Sequence, residues 1–140
     1  MLIRMLLPLG VLGLLPADLA WSDCQVIYQR AKDADLATLE TLYQEARRTP
    51  DCDDTFRAKL GQRVGNEHLR QIQSRLRQDP NADVAAQLDR ALSYTRSWQA
   101  LAMRGDLRHD RHDYYQAAQD YQEALELIAD RNLTPDSESP

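Results

Sequence analysis

The sequence predicts an all-α fold of about seven helices. After residue 21, apolar residues recur at helical spacing along nearly the whole chain. No six-residue stretch alternates apolar and polar positions with β-branched enrichment, so strand signals are absent. Capping residues and prolines punctuate the apolar faces where helices start and stop. The composition agrees with a globular chain: 43% hydrophobic and 28% charged, with five Gly and six Pro in 140 residues. Only nine residues are aromatic, so the core must rest on Leu, Ala, Ile and Val.

The first helix follows Ser22, with Gln25 three residues on completing a capping box; its apolar face is Val26, Ile27 and Ala31. The second follows Asp35 and carries Leu36, Leu39, Leu42, Tyr43 and Ala46. It ends at Thr49-Pro50, because proline disfavours helix in the residue before it. The third starts after Asp53-Asp54 with Phe56, Leu60 and Val64, and Gly65-Asn66 is a C-terminal stop signal. The fourth carries Leu69, Ile72 and Leu76 and ends before Pro80. The fifth opens at Asn81 with Val84, Ala85, Leu88, Ala91 and Leu92. The sixth, separate or continuous with it, carries Trp98, Leu101, Ala102 and Leu107. The seventh follows Asp113 with Tyr114, Ala117, Ala118, Tyr121, Ala124, Leu125 and Ile128.

The ends of the chain read differently. Arg4, the uncharged apolar run from Met5 to Leu15, and the small residues Ala17 and Ala20 have the layout of a secretory signal peptide, residues 1–20. Asp18 and two prolines interrupt the run, and a spanning helix needs about 20 apolar residues. The domain is expected over 21–131, and 132–140 has the composition of a disordered tail. Export implies a periplasmic or secreted protein without stable membrane insertion once the leader is cleaved. Cys24 and Cys52, an even pair in an oxidising compartment, are expected to form a disulfide. They sit near the start of the first helix and just past the end of an antiparallel second one. Fifteen of the 17 basic residues are Arg, the exceptions being Lys32 and Lys59, which reads as a GC-rich bacterial coding bias.

The segment Tyr43-Gln44-Glu45-Ala46 recurs as Tyr121-Gln122-Glu123-Ala124, an offset of 78. At the same offset Asp35 maps to Asp113, Leu36 to Tyr114 and Leu39 to Ala117. Gly105, Tyr114, Ala117, Tyr121 and Ala124 together resemble a tetratricopeptide repeat. The resemblance covers 98–131 well, 22–53 moderately and the middle poorly. It implies a short right-handed stack of antiparallel helical hairpins. It also implies that Gly105 meets Ala117 within one hairpin and that Tyr121 and Ala124 face the next. In the first copy Ile27 and Leu39 replace the small residues, so that hairpin should be more widely spaced.

Net charge −5 and a pI near 5.1 argue against nucleic acid, which needs a basic face. No cofactor motif appears, and there is no His-Glu-x-x-His, Gly-x-Ser-x-Gly or phosphate-cradling loop. His109 and His112 are the only clustered ligand-type residues, and a catalytic metal needs three or more ligands. They fall in a turn between hairpin helices, and His68 reads as a polar residue on an exposed face. A metal-dependent enzyme using His109 and His112 is the weaker alternative. The family resemblance implies instead a scaffold that binds a protein or peptide of the bacterial cell envelope. A variant of that reading is a freestanding accessory domain for a peptidoglycan-associated or catalytic partner. The expected partner face is Gln99, Ala102, Asp106 and His109, on one side of the first helix of the last hairpin.

Overall fold

The computed structural model describes residues 22–133. Among them there are six helices and no strand: α1 (Asp23–Ala31), α2 (Leu36–Arg48), α3 (Asp54–Gln78), α4 (Ala85–Tyr94), α5 (Trp98–Asp110) and α6 (Tyr114–Leu133). Residues 1–21, with the expected signal peptide, and residues 134–140, most of the expected tail, lie outside the described residues. Helix α6 runs to Leu133, past the expected domain end at 131. None of these helices is long and apolar enough to cross a membrane.

Local chemistry sets most of the starts. Ser22 accepts from the Gln25 N–H, Asp35 from Thr38, Asp53 from Phe56 and Ser97 from Ala100, each satisfying a donor that the first turn leaves unpaired. The Asp35 carboxyl lies below its ordinary range because Thr38 hydrogen-bonds its charged form. Helix α4 starts at Ala85, not Asn81: Asp79 accepts from the Asn81 and Ala82 N–H groups and holds residues 79–82 in a turn. Thr95 to Ser97 separate α4 from α5, so the fifth and sixth predicted helices are distinct.

The predicted stop at Gly65-Asn66 does not occur. α3 runs through it for 25 residues, so the third and fourth predicted helices are one. Both glycines of α3 serve close approach. A Cβ on Gly61 would lie 2.8 Å from the Tyr94 carbonyl oxygen, and one on Gly65 would collide with the Thr95 side chain. The C-terminal end of α4 thus lies directly on α3, where only glycine leaves room.

Each helix packs chiefly on its neighbours in sequence, α1 on α2 through to α5 on α6. Two apolar clusters result, with α3 contributing to both. Ile27, Leu42 and Val64 centre the first, and Ile72, Leu88 and Leu101 the second. Val26, expected on the apolar face of α1, is exposed, and Leu36 packs at the edge of the first cluster.

Candidate functional site

Beside the α3–α4 turn, the end of α3, the start of α4 and one side of α5 enclose an open groove of about 380 Å³. Leu76, Val84, Leu88, Met103 and Leu107 supply its apolar lining, and Asp106 and Asp110 bring carboxylates to it. Position in the chain explains the groove. Asp79-Pro80 ends α3, the turn offsets α4, and α5 returns alongside with Met103, Asp106, Leu107 and Asp110 on one face at helical spacing.

Asp106 is exposed and its Oδ1 accepts the Tyr121 hydroxyl at 2.6 Å. That bond, aided by other acidic neighbours, pushes the Tyr121 phenol up to about 12. Tyr121 therefore stays a neutral donor at physiological pH. The four residues of the expected partner face have different surroundings. Asp106 lines the groove, but Gln99, half-buried, accepts from the Ser97 hydroxyl at 2.9 Å. Ala102 is half-buried, and His109 turns to Tyr114, their ring centroids 5.2 Å apart.

Repeat-type packing is also rearranged. The atoms nearest a Cβ on Gly105 belong to the Tyr121 ring, the closest at 2.7 Å, and not to Ala117. Tyr121 fills the space inside its own hairpin instead of facing a further one. Ala117 and Ala124 are buried, but Tyr114 is 56% exposed and stacks on His112. In the first copy Leu39 and Ala46 are buried, while Tyr43 meets the Tyr94 ring edge-on at 5.1 Å. Cys24 and Cys52 are joined in a disulfide with Cα atoms 5.1 Å apart.

His112 has φ 64°, the left-handed region that favours glycine. It ends α5 in a Schellman arrangement: the Asp113 N–H donates to the Arg108 carbonyl and the His112 N–H to that of His109. His109 and His112 thus shape a turn, and among the described residues no three His, Cys, Asp or Glu converge to hold a metal.

Two buried polar groups escape the sequence reading. His68, expected on an exposed face, is 5% exposed. Its Nε2 lies 2.7 Å from Glu40 Oε1, and an ionised carboxylate only accepts, so Nε2 carries the proton. Arg90 grips the same carboxylate through both oxygens, at 2.7 and 2.8 Å. That guanidinium holds the Glu40 carboxyl below its ordinary range; burial opposes this and His68 assists. The stacked His68 and Tyr94 rings complete a junction of α2, α3 and α4. Asp120, 2% exposed, accepts two bonds from Arg104, at 3.0 and 2.7 Å, and one from Arg108 at 2.8 Å. Sequence position marks both. Asp120 interrupts the apolar stripe Ala117, Tyr121, Ala124 at i+3, and His68 stands midway between Val64 and Ile72.

Comparison with known proteins finds no protein-family model, no curated protein and no solved structure that matches the chain significantly.

Proposed function

We propose that the protein is an exported, tetratricopeptide-like binding scaffold of the bacterial envelope that docks a basic segment of a partner protein. The groove at the α3–α4 turn carries the reading. It combines an apolar lining with two carboxylates, Asp106 and Asp110, and is open to a chain lying across it. A partner residue with an apolar stem and a cationic head, Lys or Arg, suits that combination. Long-range attraction from a chain of net charge −5 favours the same partner.

The test is the association rate of an Arg-rich probe peptide with the mature chain, wild type against Asp110→Lys. Asp110 is exposed and is not part of the Asp106–Tyr121 bond, so the fold should be unchanged. At low salt the variant should associate several-fold more slowly, and the gap should close at high salt. Equal rates at low salt overturn the groove assignment. Affinity capture from envelope extract with the two proteins in parallel would then identify the natural partner.

A further inference from the structure

We propose that the slot between α1 and the first half of α3 binds a small amphiphilic anion, a medium-chain or aryl carboxylate. Its apolar body would enter the slot and its charge would rest on the rim. The slot lies in the other half of the molecule from the groove above and has the opposite sign.

The slot measures about 280 Å³ and is lined by the apolar surfaces of Tyr28, Ala31, Phe56 and Leu60. That is just under the size of ordinary small-molecule clefts, roughly 300–1,000 Å³. It suits a small ligand better than a protein surface. Three cations, Lys32, Lys59 and Arg63, complete the lining, and no carboxylate does. Lys32 and Lys59 are the chain's only lysines.

What sets this rim apart is that its three cations surround an apolar lining; most of the arginines elsewhere are paired. Arg30, Arg57, Arg70 and Arg90 each hold a carboxylate, as do Arg96, Arg104, Arg108 and Arg111. Lys32, Lys59 and Arg63 come within ion-pair distance of no carboxylate among the described residues, as is also true of Arg47, Arg48 and Arg77; Glu67, outside the slot, feels the Arg63 charge but is held by Arg70. In a chain of net charge −5, a pocket left with positive charge alone is complementary to an anion.

The slot is also preformed. At one end the Cys24–Cys52 disulfide ties the start of α1 to the loop that enters α3. At the other end Arg63 Nη2 donates to the Lys32 carbonyl at 2.8 Å, closing the last turn of α1 onto α3. Between the two ties Tyr28 forms one wall, its ring carrying the Lys32 ammonium 5.1 Å from the centroid. A pocket held at both ends loses little conformational entropy when filled.

The experiment titrates the disulfide-intact chain with decanoate, and with decylammonium as the matched cation, by calorimetry and protein NMR. Decanoate should saturate one site and shift the resonances of Tyr28 and Phe56. Lys59→Glu should weaken it by about fivefold or more through charge repulsion. Lys59 is exposed and unpaired, so the variant should keep its circular dichroism and melting temperature. Lys32→Met provides a second reading, with loss of the charge but not of the stem. Arg47→Glu, an exposed residue outside the slot, should change nothing. Decylammonium should bind weakly and be insensitive to Lys59→Glu. Three results would overturn the proposal: no saturable decanoate binding at millimolar concentration, decanoate binding indifferent to both lysine variants, or Lys59-dependent binding seen only with phosphatidylglycerol vesicles, which would assign the rim to a membrane surface.

Discussion

Around Ile27, Leu42 and Val64 the chain is closed by a covalent bond; around Leu88, Leu101 and Ala124 it is closed by a carboxylate gripped by two guanidinium groups. The difference follows from what each terminal helix can bury. Helix α1 has nine residues and buries only Ile27 and Ala31. A helix that short is marginal in water and has little packing to hold it. The Cys24–Cys52 bond removes the entropy of its detachment. Helix α6 is 20 residues long and meets α5 through Ala117, Ala124 and the Tyr121 ring laid on Gly105. Its weak point is Asp120, a charge inside an apolar stripe, which Arg104 and Arg108 neutralise. A covalent tie works without a large interface; a buried charge network works only where an interface already excludes water.

That contrast is best broken first at the covalent tie. Cys24→Ser with Cys52→Ser opens a link spanning 28 residues. We expect a loss of about 3–4 kcal/mol. Hydrogen exchange should show it first as lost protection in α1 and α2, with α5 and α6 unchanged. Equal loss in both halves would mean that the first half has no weakness of its own.

Asp120→Ala should act at the opposite end. Removing one partner of a buried pair costs about 3–5 kcal/mol. Arg104 and Arg108 retain some exposure, so we expect about 3 kcal/mol, read by chemical denaturation. Here protection should fall in α5 and α6. Asp120→Leu, which replaces the charge with packing, should recover part of the loss.

Where the halves meet, Gly61→Ala forces a methyl group against the Tyr94 carbonyl oxygen. Overpacking of about 1–3 kcal/mol is only partly offset by the better helix propensity of alanine. A melting temperature unchanged or raised would show that α4 slides easily on α3 and that the halves are weakly joined.

Glu40 makes the same junction sensitive to acid. Its folded pKa lies below the ordinary 4.5, chiefly because Arg90 hydrogen-bonds the carboxylate. The folded state therefore binds fewer protons than the unfolded state, and the contribution is present above that ordinary value. It is lost as pH falls through the lowered folded value. Melting curves between pH 6 and about 3 should show a steeper acid decline for wild type than for Glu40→Gln.

The smallest expected effect is a gain. His112→Gly relieves a left-handed residue at the end of α5. The gain should be about 0.5–1 kcal/mol, reduced by whatever the stack on Tyr114 contributes.

What the sequence shows and what it hides divide along the range of the interaction. Ser22, Asp35 and Asp53 start helices through bonds to residues three positions on, so the caps are readable locally. The apolar faces of α2 and α6 are readable for the same reason. Gly65 resembles a stop because its true cause, the Thr95 side chain lying against it, is 30 positions away. His68 looks exposed because its partner Glu40 lies on a different helix. Gly105 and Ala117 look like a matched pair until Tyr121, a larger side chain one turn further along, claims the space. In the groove, Asp106 and the apolar face of α5 are visible in the chain. The Leu76, Val84 and Leu88 wall appears only once the α3–α4 turn has placed it.

The neighbour-on-neighbour packing of α1 through α6 also sets how quickly the molecule assembles. Contacts between adjacent helices require little loop closure, and such topologies fold in microseconds to milliseconds. Closing the Cys24–Cys52 bond takes seconds or longer and depends on an oxidant. Collapse therefore precedes oxidation: the hairpin of α1 and α2 brings the two thiols together, and the bond then locks an arrangement already reached. Refolding from the reduced state should show a fast rise in helical signal, followed by a slow phase confined to α1 and its seat on α2.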